Sequence, residues 1–67
     1  MKITLNNKSE EFNSEKMSIS EIIKEKNFTF HLLVTKINGK LVKKADRDTS
    51  YVVEGDDVMV LHLISGG

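Results

Sequence analysis

Cysteine is absent from this chain of 67 residues. Its absence removes disulfides, thiolate metal sites and thiol nucleophiles together. Small secreted domains of this size commonly depend on disulfide staples, so a cytoplasmic location is the expectation. An excess of either charge is absent too, because ten basic and ten acidic residues cancel. Nucleic-acid binders carry a basic excess, and no nucleic-acid partner is expected. No apolar run approaches the roughly 20 residues that span a bilayer. The opening Lys2-Ile3-Thr4-Leu5-Asn6-Asn7 turns polar too early for a signal peptide, so no membrane association is expected and the sequons at Asn7 and Asn27 read as chance.

Chemistry-bearing constellations are equally scarce. There is no nucleophile–base pair and no phosphate-cradling glycine loop, which argues against an intrinsic enzyme. His31 and His62 stand too isolated to mark a metal site and read as boundary or solvent-facing residues. Asp46-x-Asp48-x-Ser50 has the carboxylate spacing of a calcium loop, but Tyr51 stands where such a loop needs glycine. Neither a bound metal nor a bound cofactor is expected. A fold this small buries only about 60% of the surface its unfolded chain exposes, leaving little material for a deep cleft. Linkers, internal repeats and low-complexity stretches are missing, so residues 1–67 are expected to form a single domain, ending in a flexible tail over 65–67.

What is present is patterned. Met1, Ile3 and Leu5 alternate with Lys2, Thr4 and Asn6, a period of two that marks a strand with one apolar face. Asn6-Asn7-Lys8 offers turn chemistry, and a polar edge strand is expected over 9–13 with Phe12 turned inward. Ser18 and Glu21 have the spacing of a capping box, followed by Ile19, Ile22 and Ile23 at the spacing of a buried helix stripe. The helix is expected to stop near Lys26-Asn27. A strand over 32–37 then meets Asn38-Gly39, the strongest short hairpin signal, with Leu41-Val42 as the return. A polar loop is expected over 46–50, an apolar anchor at Tyr51-Val52-Val53, a tight turn at Glu54-Gly55-Asp56-Asp57, and a last strand over 58–64. That strand is apolar on nearly both faces, as a central strand is. Placing it parallel to the first strand requires a long crossover, which the helix and hairpins supply. The predicted fold is α+β, a β-grasp: a mixed sheet with the first and last strands central and parallel, and one main helix on one face.

The carboxyl end is the candidate reactive group. Two terminal glycines, Gly66 and Gly67, follow the last strand, an ending that composition alone produces in roughly one chain in two hundred. Lacking Cβ atoms, they can thread a narrow channel on another protein and present the Gly67 carboxylate there. A carboxylate is a poor electrophile, because its leaving group would be oxide. An ATP-dependent partner can turn it into an acyl adenylate, a persulfide sulfur can displace AMP, and reduction then leaves a thiocarboxylate. Lack of cysteine suits such a role, since no internal thiol competes with the terminus.

These features together resemble the thiamine-biosynthesis sulfur carriers (ThiS), relatives of the molybdopterin synthase small subunit and of ubiquitin. The resemblance rests on Met1-Lys2-Ile3, Ile37-Asn38-Gly39-Lys40-Leu41-Val42, Glu54-Gly55-Asp56-Asp57-Val58 and Leu63-Ile64-Ser65-Gly66-Gly67. The chain departs from it at Lys43-Lys44, where family members often carry Pro and Arg. The resemblance implies three partners: a ubiquitin-activating-type adenylating enzyme that consumes ATP, a cysteine desulfurase supplying persulfide sulfur, and a thiazole synthase that accepts it. The free carrier would be a monomer. A carrier for molybdopterin synthesis, or for tRNA or amino-acid thiolation, is the alternative within the same chemistry. A non-covalent β-grasp binding module is the alternative outside it.

By analogy with ubiquitin, Val58 and Val60 face the core. Met59, Leu61 and Leu63 then form an exposed apolar patch that, with Ile64 and Ser65, is the expected docking surface. The opposite register, with Met59, Leu61 and Leu63 inside, is the alternative. Lys40, Lys43, Lys44 and Arg47 form a basic cluster, expected as a solvated face or as a means of steering an acidic partner.

Overall fold

A computed structural model describes residues 1–29 and 32–62. Among these residues seven strands, one α-helix and a short 3-10 turn follow one another: β1 (Lys2–Leu5), β2 (Lys8–Glu11), β3 (Lys16–Ser18), α1 (Ile19–Glu25), β4 (Leu33–Ile37), β5 (Lys40–Val42), the 3-10 turn Lys44–Asp46, β6 (Tyr51–Val53) and β7 (Asp57–His62).

Both hairpin turns fold as their sequences dictate. Asn6 and Asn7 have φ of 51° and 67°, and Asn38 and Gly39 have φ of 50° and 82°. Positive φ at both central residues is the geometry of the type I′ turn, whose twist matches that of the strands it joins. The turns fix the registers Leu5↔Lys8 and Ile37↔Lys40.

The helix is defined at both ends. The Ser18 hydroxyl accepts from the Glu21 N–H at 3.1 Å, and the Glu21 carboxylate accepts from the Ser18 N–H at 2.9 Å. These two bonds close the predicted capping box. At the other end Asn27 takes φ of 56°. Its N–H donates to Lys24 O at 3.2 Å and the Phe28 N–H to Ile23 O at 2.9 Å, the pair of bonds of a Schellman motif. Replacing Ser18 by Ala orphans one donor of the first turn. The expected cost is about 1 kcal/mol, seen as a melting temperature lower by roughly 4–8 °C in a circular-dichroism melt.

The main sheet has the order β2-β1-β7-β4-β5, with β1 and β7 parallel and every other pair antiparallel. The predicted pairing of first and last strands is therefore present, with β7 in the middle. Alternation selects the inner face. Ile3, Leu5, Val58, Val60, Thr35 and Val42 are buried, and Ile19 and Ile22 of α1 close over them together with Val52 and Met17. Ile23 is half-buried at the margin.

Several sequence expectations are corrected. The second strand runs over 8–11 rather than 9–13, and Phe12 lies just beyond it, partly buried against the core with its N–H bonded to Met1 O. A strand that the sequence does not announce, β3, pairs antiparallel with β6 as a separate two-stranded sheet. Only Val52 of the expected Tyr51-Val52-Val53 anchor is buried. Tyr51 and Val53 are 50% and 46% exposed, because neighbours along a strand face opposite ways. The Lys16 ammonium instead lies 4.9 Å from the Tyr51 ring centroid. The expected loop over 46–50 begins within the 3-10 turn.

Candidate docking face and carboxyl end

β7 leads toward the diglycine, and the strands on either side frame it. Its inner residues, Val58 and Val60, are 0% and 4% exposed. Its outer residues, Met59 and Leu61, are half-buried and exposed respectively. This is the register placed first from the sequence, and it leaves Met59 and Leu61 on the sheet face away from α1. Leu63, Ile64, Ser65, Gly66 and Gly67 lie outside the described residues, as does His31. His62 closes β7 and is exposed.

The outer face is wider than β7. Cross-strand partners share a face, and Lys36 is partner to both Leu41 and Met59, while Val34 is partner to Leu61. Leu41, Lys36 and Met59 therefore form one row across three strands, with Val34 and Leu61 forming the next. Leu41 is 62% exposed and Leu61 39%. Val34, Leu41 and Lys36 were not picked out from the sequence. The available signal was the alternation along 33–37: once Thr35 is placed inside, Val34 and Lys36 must point out. A threonine is not an obvious inward residue, which hides the pattern.

Thr35 is buried because its hydroxyl is satisfied. It donates to Val42 O at 2.6 Å and accepts from Arg47 Nε at 3.1 Å, and Arg47 Nη2 donates to Leu33 O at 2.6 Å. Arg47 is thus half-buried and ties the segment after the 3-10 turn to β4. The expected basic cluster is corrected accordingly. Lys40, Lys43 and Lys44 are exposed, whereas Arg47 is structural, because two charge-assisted bonds fix its guanidinium. From Leu32 to Ala45 every charged residue is a lysine, so β4 and β5 themselves carry only basic charge, with Asp56 and Asp57 at the Asn38-Gly39 end.

Among the described residues no group of three or more His, Cys, Asp or Glu is placed to hold a metal ion. No helix among them is long and apolar enough to cross a membrane.

A parallel central pair of β1 and β7, flanked by β2 on one side and the β4–β5 hairpin on the other, with one helix across one face, defines a ubiquitin-like β-grasp domain. Residues 3–67 match the ThiS family, and the chain belongs to that family. It is similar to the crystal structure of a thiamine biosynthesis protein (ThiS) from Geobacter metallireducens, with 23% identity, 100% of both chains covered and a TM-score of 0.89. It is also similar to an NMR solution structure of a thiamine biosynthesis protein from Geobacter metallireducens, with 25% identity, 100% of this chain and 88% of that chain covered, and a TM-score of 0.81. No curated protein matches the chain.

Proposed function

We propose that the chain is a sulfur carrier of thiamine biosynthesis and that its working group is the Gly67 carboxylate. The observation that carries this reading is the family match, which runs through Gly67 on a β-grasp whose central strand leads to the diglycine. A ubiquitin-activating-type enzyme joins the carboxylate to the α-phosphate of ATP and releases pyrophosphate. The terminal sulfur of a desulfurase-derived persulfide then attacks the acyl carbon and expels AMP. A second thiol then attacks the desulfurase cysteine's sulfur of the acyl disulfide, forms a disulfide with it and releases the thiocarboxylate, which delivers its sulfur to a thiazole synthase. The carrier is a cosubstrate, with no catalytic side chain and no cofactor of its own. It works in the cytoplasm as a monomer.

The outer sheet face is the docking surface in this reading. Val34, Leu41, Met59 and Leu61 provide its apolar floor, and Leu63, Ile64 and Ser65, which follow in the sequence, are assigned to the same docking role. Truncating Leu61 to Ala is expected to raise the KM for the carrier about tenfold, as loss of a central contact does. Stability should move by no more than about 0.5 kcal/mol, because the side chain is already substantially exposed. Steady-state adenylation kinetics beside a urea titration check both.

The reading is tested by incubating the chain with candidate activating enzymes, ATP and a sulfur donor, and weighing the intact product. Exchange of one terminal oxygen for sulfur is the expected result. The partner that supports the exchange separates the thiazole pathway from molybdopterin synthesis or thiolation of tRNA or an amino acid. A chain that binds its partner yet never gains sulfur would be a recognition module instead.

A further inference from the structure

Both hairpin turns of the main sheet reach for the same strand. β1 runs parallel to β7 and ends with Leu5 opposite Val58, so the Asn6-Asn7 turn lies beside the later half of β7. β4 runs antiparallel to β7, with Ile37 opposite Val58, so the Asn38-Gly39 turn lies beside its beginning. The first residue of each turn is a left-handed asparagine, and each directs its side-chain amide to β7. Asn38 Oδ1 accepts from the Asp57 N–H at 2.8 Å, and Asn38 Nδ2 donates to Asp56 Oδ1 at 3.0 Å.

Asn6 does something different. Its Nδ2 donates to Val60 O at 3.0 Å, and its Oδ1 accepts from the Val60 N–H at 2.8 Å. One side-chain amide thus satisfies both backbone groups of one residue, as a single residue of an antiparallel neighbour does and as no one residue of the parallel β1 could. The backbone ladder from this side stops at the bond from the Asn6 N–H to Val58 O at 2.9 Å, and the side chain extends it by one step. On the other edge β4 accompanies β7 as far as the Leu33↔His62 pair. Val60, seven residues before Gly67, is therefore held by Asn6 on the edge that β1 has already left, while β4 still pairs along the other edge of β7.

We infer that Asn6 is a positioning residue for the carboxyl end: its amide acts as a surrogate strand that fixes the direction in which β7 delivers the tail to the activating partner. The inference rests on the carrier reading. In-line attack of the Gly67 carboxylate on a phosphate tolerates little misplacement, and an error of about 1 Å can cost on the order of a hundredfold in rate. A strand end paired on one edge only opens locally more often, and a tail leaving such an end samples more directions.

The test compares Asn6→Gly and Asn38→Gly in the full chain. Glycine accepts positive φ without steric strain, so each variant keeps its turn and loses the amide, with the same added backbone entropy in both. In Asn6→Gly the Val60 amide should exchange with deuterium about tenfold faster, the size expected for losing hydrogen bonds of this kind, while the amides of Ile3, Thr35 and Val58 keep their protection. With a ubiquitin-activating-type enzyme and ATP, pyrophosphate release should show kcat lowered about tenfold or more and the KM for the carrier unchanged. A merely structural role would lower the folded fraction and raise the apparent KM while leaving kcat alone. Asn38→Gly should release Asp57 and leave both Val60 and kcat as they are. Unchanged Val60 exchange in Asn6→Gly, or faster exchange with full kcat, overturns the assignment. A parent chain that no such enzyme adenylates overturns the carrier reading instead, and that is visible before any variant is assayed.

Discussion

Removing Gly67, or converting its carboxylate to an amide, is expected to abolish sulfur loading completely and to leave the melting temperature unchanged. The loss should be total because the affected atoms are the reacting ones. Adenylation forms a bond from a carboxylate oxygen to phosphorus; an amide has no such oxygen to offer, and the acyl carbon then never acquires a leaving group. Deletion retains a carboxylate, on Gly66, but sets it back by up to one residue of extended chain, about 3.3–3.6 Å. That gap exceeds what a preorganised site tolerates. Adding an uncleavable alanine after Gly67 should act in the same way, since the carrier reading has the tail thread a channel that a Cβ would obstruct. Stability should not follow, because the buried core residues among those described run from Ile3 to Val60. Intact-mass measurement after incubation with the activating enzyme, ATP and sulfur donor gives the loading, and a thermal melt gives the control. Gain of sulfur by the amidated chain would sink the carrier reading.

The second large effect concerns the scaffold. Ile22→Ala should destabilise the domain by about 2–5 kcal/mol. Ile22 is fully buried on the face of α1 that closes over the sheet. Its truncation loses the transfer free energy of the missing atoms and leaves a void that the stiff sheet cannot fill. Domains of this length have a total stability of roughly 3–10 kcal/mol at typical values per residue, so the variant should sit near its midpoint under conditions in which the parent is folded. A urea titration should show the midpoint falling with the slope preserved. Ile23→Ala, from a half-buried position one residue along, should cost distinctly less. Sulfur loading of Ile22→Ala should fall through the folded fraction and recover at low temperature. Equal midpoints for the two variants would refute the packing assigned to α1.

The two effects separate the tasks of the molecule. The core maintains the sheet, and the sheet holds the proposed docking face and a strand end in fixed relation. Asn6 belongs to neither the core nor the docking face, and its inferred work is to keep that strand end aligned.

Much of this was legible in the chain itself because it is encoded over short distances. Ser18 and Glu21 close a box across one helical turn, Asn27 ends the helix within three residues of its last turn, and Asn6-Asn7 and Asn38-Gly39 fix two hairpins by their tolerance of positive φ. Alternation in β1 and the doubly apolar β7 placed those strands in the sheet centre, because burial on one face or on two leaves different residue patterns. The diglycine offered a candidate reactive end from its chemistry, and that role stands as a proposal.

Tertiary structure decided whatever depends on which distant residues meet. β3 has three residues and no alternation, and it is a strand only because β6 lies alongside it. Arg47 looks like one more surface cation until Leu33 O and Thr35 Oγ1 receive its guanidinium. Val34 and Leu41 join Leu61 and Met59 on one face solely through the registers of β4. Asn6 reads as a turn residue, and its grip on Val60 spans 54 positions. A residue's intrinsic preferences act on its own backbone and near neighbours, whereas hydrogen-bond partners and shared faces are properties of the packed whole.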